Sequence, residues 1–312
     1  MRFVRLRQVG EICPSILPDK GSSLQGILCD LYAAQLLGIQ VPPPFLLVNA
    51  TAEKFYEGFN YASGSAGICS ETGTAGQEVT LSMEKQIELF RKTVQEYLPS
   101  HFSSAAELKD YLSKSIFLVI IGSNDYSHNY LSTQYNSSRI YDMKQFADLL
   151  TYYLKQQLLE LYMLGARKFV VFEIDAMGCE PAFLQIEKSN PKCSEKVNSY
   201  IHTYNHKLGV MLEKVGKAVF NSTFVLAKRY QLMNDLVANP TRYGLRDSVN
   251  PCCSVSNLGL CVPNKVPCQD RKSQVFFDAV HPTETIYNII AAQCFNGTGL
   301  CVPMNIQELA KK

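Results

Sequence analysis

A run of six apolar residues at 116–121 constrains the fold of this chain more than any other feature. Such a run, bounded by polar residues, is typical of a parallel-sheet strand that is covered on both faces. Similar strand-like runs follow at 168–174 and 224–227, and segments with helical apolar spacing separate them at 143–164 and 194–215. This alternation predicts an α/β fold in three layers, with a parallel sheet between helices.

The N-terminal third adds weaker signals. Apolar spacing predicts helices at 24–37, 80–98 and 105–112, and a short strand at 58–62 leads into a loop of small residues at 63–67. Residues 1–20 show no periodicity and contain two prolines, so we expect an irregular segment there. The remainder, 21–312, shows no break in composition and is predicted to be a single domain.

Composition excludes several classes of protein. Apolar residues make up 46% and charged residues 19% of the chain, the mix of a soluble globular protein. No apolar run is long enough to cross a bilayer. Thirty basic residues oppose 28 acidic ones without forming a basic stretch, so nucleic acid is not an expected partner.

The chain contains 11 cysteines, and most are clustered. The clusters predict short-range disulfides in an oxidising compartment, with Cys179 and Cys193 as the first pair to test. Zinc binding is the alternative, but the spacing lacks paired C-x2-C knuckles. Four N-x-S/T sequons also suggest a secretory route. The other clusters are Cys252, Cys253, Cys261 and Cys268, and then Cys294 and Cys301; the glycosylation candidates are Asn49, Asn136, Asn221 and Asn296.

The N-terminal sequence does not have the pattern of a secretory signal peptide. It is rich in arginine, but no uninterrupted apolar segment follows, and acidic residues appear early. We therefore find no recognisable signal peptide.

Asp278 and His281 follow an apolar run and precede a proline. A carboxylate three residues from a histidine can orient the imidazole as in the pair that serves a hydrolytic triad. A surface turn with a neighbouring histidine is the plainer interpretation. Two other patterns are weaker: His202 and His206 are four apart on a predicted helix without the glutamate of a metalloprotease, and no glycine-rich loop has a phosphate-binding motif. We expect neither a metal nor a cofactor.

Four sequence blocks, in this order along the chain, resemble those of a known family. They are Gly58-Phe59-Asn60-Tyr61-Ala62-Ser63-Gly64-Ser65-Ala66-Gly67-Ile68, Ile121-Gly122-Ser123-Asn124-Asp125-Tyr126, Gly165-Ala166-Arg167-Lys168-Phe169-Val170-Val171 and Asp278-Ala279-Val280-His281-Pro282. From Gly21 onward the chain resembles plant GDSL-type esterases/lipases of the SGNH hydrolase superfamily. The resemblance implies a flavodoxin-like α/β/α fold and hydrolysis of carboxylic esters by a Ser-His-Asp triad.

Carried over residue by residue, the resemblance assigns four roles. Gly64 donates its backbone N–H and Asn124 its side-chain amide to the oxyanion, His281 is the general base, and Asp278 orients it. It also implies a secreted protein that needs no cofactor and acts on a small or polymer-linked acyl ester. We expect a monomer, and one sequence does not identify the ester.

The resemblance leaves the nucleophile without a match. Ser22 and Ser23 look like a degraded G-D-S-L block, but their register matches the family's later G-R-F-S-N-G segment, so we interpret them as decoys. The expectation is a member truncated at its N-terminus that lacks the nucleophile block and first strand. Because an absent interior strand leaves two unpaired edges, such a chain should fold poorly. The alternative function is a non-catalytic relic or binding module.

Overall fold

The computed structural model describes residues 2–7, 36, 38, 40–47, 58–75, 80–187, 190–257 and 259–312, with only the backbone at 2–7 and 185–191. The strands are β1 (Arg2–Arg7), β2 (Gly58–Asn60), β3 (Ser115–Ile120), β4 (Lys168–Phe172), β5 (Gln185–Glu187), β6 (Asn190–Lys192), β7 (Thr223–Ala227) and β8 (Cys301–Val302). The helices are α1 (Met83–Lys92), α2 (Ala105–Lys114), α3 (Ser137–Ile140), α4 (Met143–Met163), α5 (Glu195–Ala218), α6 (Arg229–Ala238), α7 (Glu284–Asn296) and α8 (Ile306–Lys311).

Six strands form the main sheet, in the order β2-β1-β3-β4-β7-β8. The first five are parallel, and β8 runs antiparallel to β7. Helices α4 and α5 connect β3 to β4 and β4 to β7, as βαβ crossovers require. The prediction of an α/β fold with a parallel sheet is confirmed.

Alternate residues of β3 and β4 supply two cores, one on each face of the sheet. Phe117 and Phe169 belong to the core under α1, α4 and α5. Leu118 and Val170 belong to the opposite core, with apolar side chains of α6, α7 and α8. Because both faces are covered, β3 and β4 are apolar after their first residue, which is why the runs at 116–121 and 168–174 predicted strands.

Two predictions, an irregular segment at 1–20 and an absent first strand, are wrong for residues 2–7. Strand β1 lies between β2 and β3 and pairs in parallel with both, with Phe3 opposite Gly58 and Arg2 opposite Ser115. The backbone groups of β2 and β3 need partners on these inner edges, and any six-residue extended segment can supply them. The prolines that argued against regular structure come later, at 14 and 18. The expected poor folding therefore loses its basis.

The predicted helices are present where the structure describes them, with shifted ends. The helix expected at 80–98 is interrupted after α1 by a π-helical turn, Thr93–Tyr97. At that point the Thr93 hydroxyl donates to the Leu89 carbonyl and bonds the buried Tyr61 hydroxyl at 2.6 Å, and such side-chain bonds compete with the helical ladder. The helix expected at 24–37 lies almost entirely outside the described residues.

Four disulfides cross-link the described part of the chain. They join Cys179 to Cys193, as predicted, and Cys252 to Cys268, Cys253 to Cys261 and Cys294 to Cys301. The last pair, which ties α7 to β8, joins two cysteines whose clustering also predicted a short-range disulfide. Among the described helices, none has the length and apolar character needed to cross a membrane.

Candidate active site

The carboxyl ends of β2, β3 and β4 meet at one edge of the sheet, and a loop follows each strand there. In open parallel sheets this edge is where ligands bind. The segment at 274–283 reaches the same edge from the C-terminal part of the chain, since Ala182, in the loop after β4, donates its backbone N–H to the Ala279 carbonyl at 2.9 Å. Residues far apart in sequence therefore converge.

Asp278 and His281 form a direct hydrogen bond, 2.8 Å from Oδ2 to Nδ1. The other carboxylate oxygen, Oδ1, accepts the backbone N–H groups of Val280 and His281 at 2.9 and 2.7 Å. Because an ionised carboxylate only accepts hydrogen bonds, Nδ1 carries the proton and Nε2 keeps its lone pair. The Asp278 side chain is 4% exposed and that of His281 is 30% exposed. The carboxylate is thus buried, while the imidazole can be reached from solvent.

A disulfide-bonded loop at 252–268, called here the disulfide loop, holds this pair from outside. Cys252 and Cys253 donate their backbone N–H groups to the carbonyls of Phe276 and Phe277, at 3.1 and 3.0 Å. Ala279 donates to the Gly259 carbonyl at 2.9 Å. Gly259 has φ +77°, and a Cβ there would lie 3.2 Å from that of Ala279, so glycine suits this close approach.

The predicted oxyanion donors lie on the first two loops. Gly64 is half-buried in the loop after β2, and Asn124 follows β3 and is 8% exposed. The Asn124 side chain donates one N–H to the Ala66 carbonyl at 3.1 Å, which ties the two loops together. An amide carries two N–H groups, so the second can bind a ligand.

Asp125 joins these two loops through its side chain, and no role was predicted for it from the sequence. Its buried carboxylate accepts the backbone N–H groups of Ile68 and Cys69, at 2.8 and 3.0 Å, and the Thr72 hydroxyl at 2.8 Å. Burial raises the pKa of Asp125 to about 6, and the three donors oppose that shift. A Cβ on Gly67 would come within 2.5 Å of this carboxylate. The small residues of 63–67 thus let a buried acid approach the backbone.

Two further titratable groups border the Asp278–His281 pair and were missed in the sequence. Partial desolvation lowers the pKa of His128, although its side chain is exposed, and the charge of His281 lowers it further. Burial raises the pKa of Glu180 well above its usual value, and Asp278 adds to this effect. Neither residue belongs to a recognisable pattern, since only the fold brings π-helical turn Asp125–Tyr130 and the loop after β4 next to 278–281.

The remaining predicted residues lie elsewhere. Ser22, Ser23 and Asn49 are outside the described residues, and the three described sequon asparagines, Asn136, Asn221 and Asn296, are exposed. His202 and His206 are exposed on α5, and no cluster of three metal-ligating side chains occurs in the described part of the chain.

Comparison with known proteins identifies the family. The family model for GDSL-like Lipase/Acylhydrolase matches residues 18–294. GDSL esterase/lipase 7 of Arabidopsis thaliana is 38% identical over 288 residues, which cover 90% of this chain and 79% of the relative. GDSL esterase/lipase At1g71691 of the same plant is 36% identical over 282 residues, covering 89% and 72%. The chain therefore belongs to the GDSL esterase/lipase family, hydrolases that act on ester bonds.

Proposed function

We propose that this chain hydrolyses carboxylic esters at the sheet edge, with His281 as the general base and Asp278 as the residue that orients it. The observation that carries the proposal is the buried Asp278 carboxylate bonded to Nδ1 of a half-exposed imidazole. Nε2 removes the proton from the attacking hydroxyl group as its oxygen bonds to the ester carbonyl carbon. The proton then passes to the leaving alkoxide, which departs as the alcohol. Where the hydroxyl belongs to a serine, water activated by the same Nε2 attacks the acyl-enzyme, releases the acid and restores the serine.

The oxyanion of the tetrahedral intermediate is bound by the second N–H of Asn124 and the backbone N–H of Gly64. Two features support this role: Asn124 is buried, and its bond to Ala66 fixes the direction of the amide. A donor fixed before the reaction stabilises the developing charge without reorganisation, typically by about 3 kcal/mol.

A non-catalytic module that binds acyl esters is the second candidate. It is favoured by the absence of any hydroxyl group, among the described side chains, in hydrogen-bond contact with His281 Nε2. Of the serines near the donors, Ser63 is buried and accepts the Leu81 backbone N–H at 2.9 Å, while Ser65 and Ser123 are half-buried. An experiment is therefore needed to identify the attacking hydroxyl group.

Hydrolysis of p-nitrophenyl butyrate by the purified chain separates the two candidates. His281→Ala should lower kcat/KM by about 10³-fold or more, while His206→Ala, an exposed histidine on α5, should leave it unchanged. A folded protein without activity would leave the binding module as the function.

A fluorophosphonate probe then identifies the nucleophile. Labelling that is lost in His281→Ala but kept in Ser23→Ala would indicate another serine, whereas hydrolysis without labelling would indicate attack by water.

The proposal extends to the setting of the enzyme. Four disulfides and three exposed sequon asparagines support a secreted glycoprotein. The substrate is a small or polymer-linked acyl ester, and the enzyme acts as a monomer without nucleic acid.

A further inference from the structure

A groove of about 1110 Å³ runs between α4 and α5 on the outer surface of the molecule. It is called here the α4–α5 groove. Its walls reach from Lys144 to Leu159 on α4 and from His202 to Ala218 on α5. At about 1.5 Å per helical residue the groove is roughly 22 Å long. Both helices begin near the sheet edge that carries the candidate active site and run away from it.

The groove concentrates positive charge in a chain whose net charge is only +2. Four lysines line it, Lys144 and Lys155 on one wall and Lys207 and Lys214 on the other, against one acid, Asp148. Asp148 pairs with Lys207. The other three lysines are exposed, and no carboxylate of the described residues forms an ion pair with them. The groove thus holds three lysines without an ion-pair partner among the described residues, although the charge of Lys214 also acts on nearby Glu213.

The shape favours a linear ligand over a membrane surface. Met211 and Val215, on the floor, are 9% and 3% exposed, so they are recessed and cannot insert into a bilayer. Tyr152 on the α4 wall is 59% exposed and offers a flat ring with a hydroxyl at its end. Such a ring can pack against the C–H face of a sugar. The cations are spread over both walls, which suits repeated negative charges better than a single head group.

We propose that the α4–α5 groove binds a linear acidic polysaccharide. Sugar carboxylates pair with Lys144, Lys155 and Lys214, and a sugar ring packs on Tyr152. Four disulfides indicate an oxidising compartment, where acidic polysaccharides, and not nucleic acids, are the polyanions to expect. Binding here does not depend on ester hydrolysis, so this proposal stands or fails separately from the proposed function.

The test measures binding to immobilised polygalacturonate, with fully methyl-esterified polygalacturonate as the uncharged polymer of the same backbone, and every protein in it carries His281→Ala so that the esters stay intact. The protein with the wild-type groove should bind the charged polymer alone, and salt should weaken binding. Lys155→Glu/Lys214→Glu should reduce affinity about tenfold or more, because it places two repulsive charges in the groove.

The matched control is Lys109→Glu/Lys311→Glu, which makes the same change of charge at exposed lysines outside the groove. It should bind within about twofold of the wild type. Thermal melts verify folding, and Lys155→Gln/Lys214→Gln replaces the reversal if that variant unfolds. Equal losses in the groove and control variants would overturn the proposal. So would equal binding of the esterified polymer, or binding to phosphatidylglycerol vesicles or duplex DNA in place of polygalacturonate.

Discussion

The two halves of the candidate active site are held in place by different physical means. The oxyanion half, on the loops after β2 and β3, is held by one buried carboxylate, Asp125, which accepts three hydrogen bonds across the gap. The base half, around Asp278 and His281, is held by the disulfide loop through backbone hydrogen bonds. One half depends on interior electrostatics and the other on covalent cross-links at the surface.

This difference follows from where each half lies. The loops after β2 and β3 leave parallel strands of one sheet at the same edge, with only β1 between them, so a single acceptor is enough to fix their spacing. The segment at 276–282 is not part of the sheet, and its strand-like contact is a single bridge between Phe276 and Pro282. Among the described residues, its backbone hydrogen bonds to other segments go to the disulfide loop and to Ala182, so the cross-linked loop is its main support. We therefore expect the halves to respond differently to substitution.

Asp278→Asn should give the largest effect. If the amide oxygen keeps the two backbone N–H bonds of Oδ1, the amide N–H2 faces His281 Nδ1 and stabilises the tautomer with the proton on Nε2. That tautomer cannot act as the base, so kcat/KM for p-nitrophenyl butyrate should fall by about 10⁴-fold with little change in Tm. A loss below tenfold would mean that the pair is structural.

Asn124→Ala should come next. Removing the oxyanion donor should lower kcat by about 10²- to 10³-fold with a much smaller change in KM, since the bond forms in the transition state. Steady-state kinetics separates the two constants. If KM rises and kcat is unchanged, Asn124 binds the ground state only.

Asp125→Asn should destabilise the fold by about 2 kcal/mol at pH 7, because an amide N–H2 would face the Ile68 backbone N–H. The pKa of Asp125 is raised to about 6, so proton binding by the folded state adds stability that is full below the ordinary pKa and is lost as pH rises through 6. Because the asparagine does not titrate, the difference in free energy of unfolding between the wild type and the variant should widen as pH falls from 7 to 5. Urea unfolding at both pH values measures it, with exposed Asp148→Asn as the control.

Removing one cross-link of the disulfide loop should have the smallest effect. Cys253→Ser/Cys261→Ser should lower kcat about tenfold, because the pair is held less firmly against the substrate. Cys294→Ser/Cys301→Ser opens a loop of similar length, with a separation of 7 residues against 8, between α7 and β8. This control should keep wild-type kcat. Equal kcat in both variants would show that the disulfide loop does not position the base.

Sequence reasoning predicted those features that depend on local patterns. The apolar runs at 116–121 and 168–174 indicate buried strands, and the spacing of Asp278 and His281 is sufficient for their hydrogen bond. Strand β1 was missed because its pairing depends on the vacancy between β2 and β3, which no local pattern reveals. Asp125, His128 and Glu180 were missed for the same reason, since their neighbours, and the burial of Asp125 and Glu180, come from distant segments.

The central claim is that the two halves act on one transition state, and a double-mutant cycle of Asn124→Ala and His281→Ala tests it most directly. Measured as kcat/KM for p-nitrophenyl butyrate, the double variant should lose clearly less activity than the product of the two single losses, because residues that serve the same attack on the carbonyl are not additive. If the two losses multiply, the halves act independently and the account is contradicted.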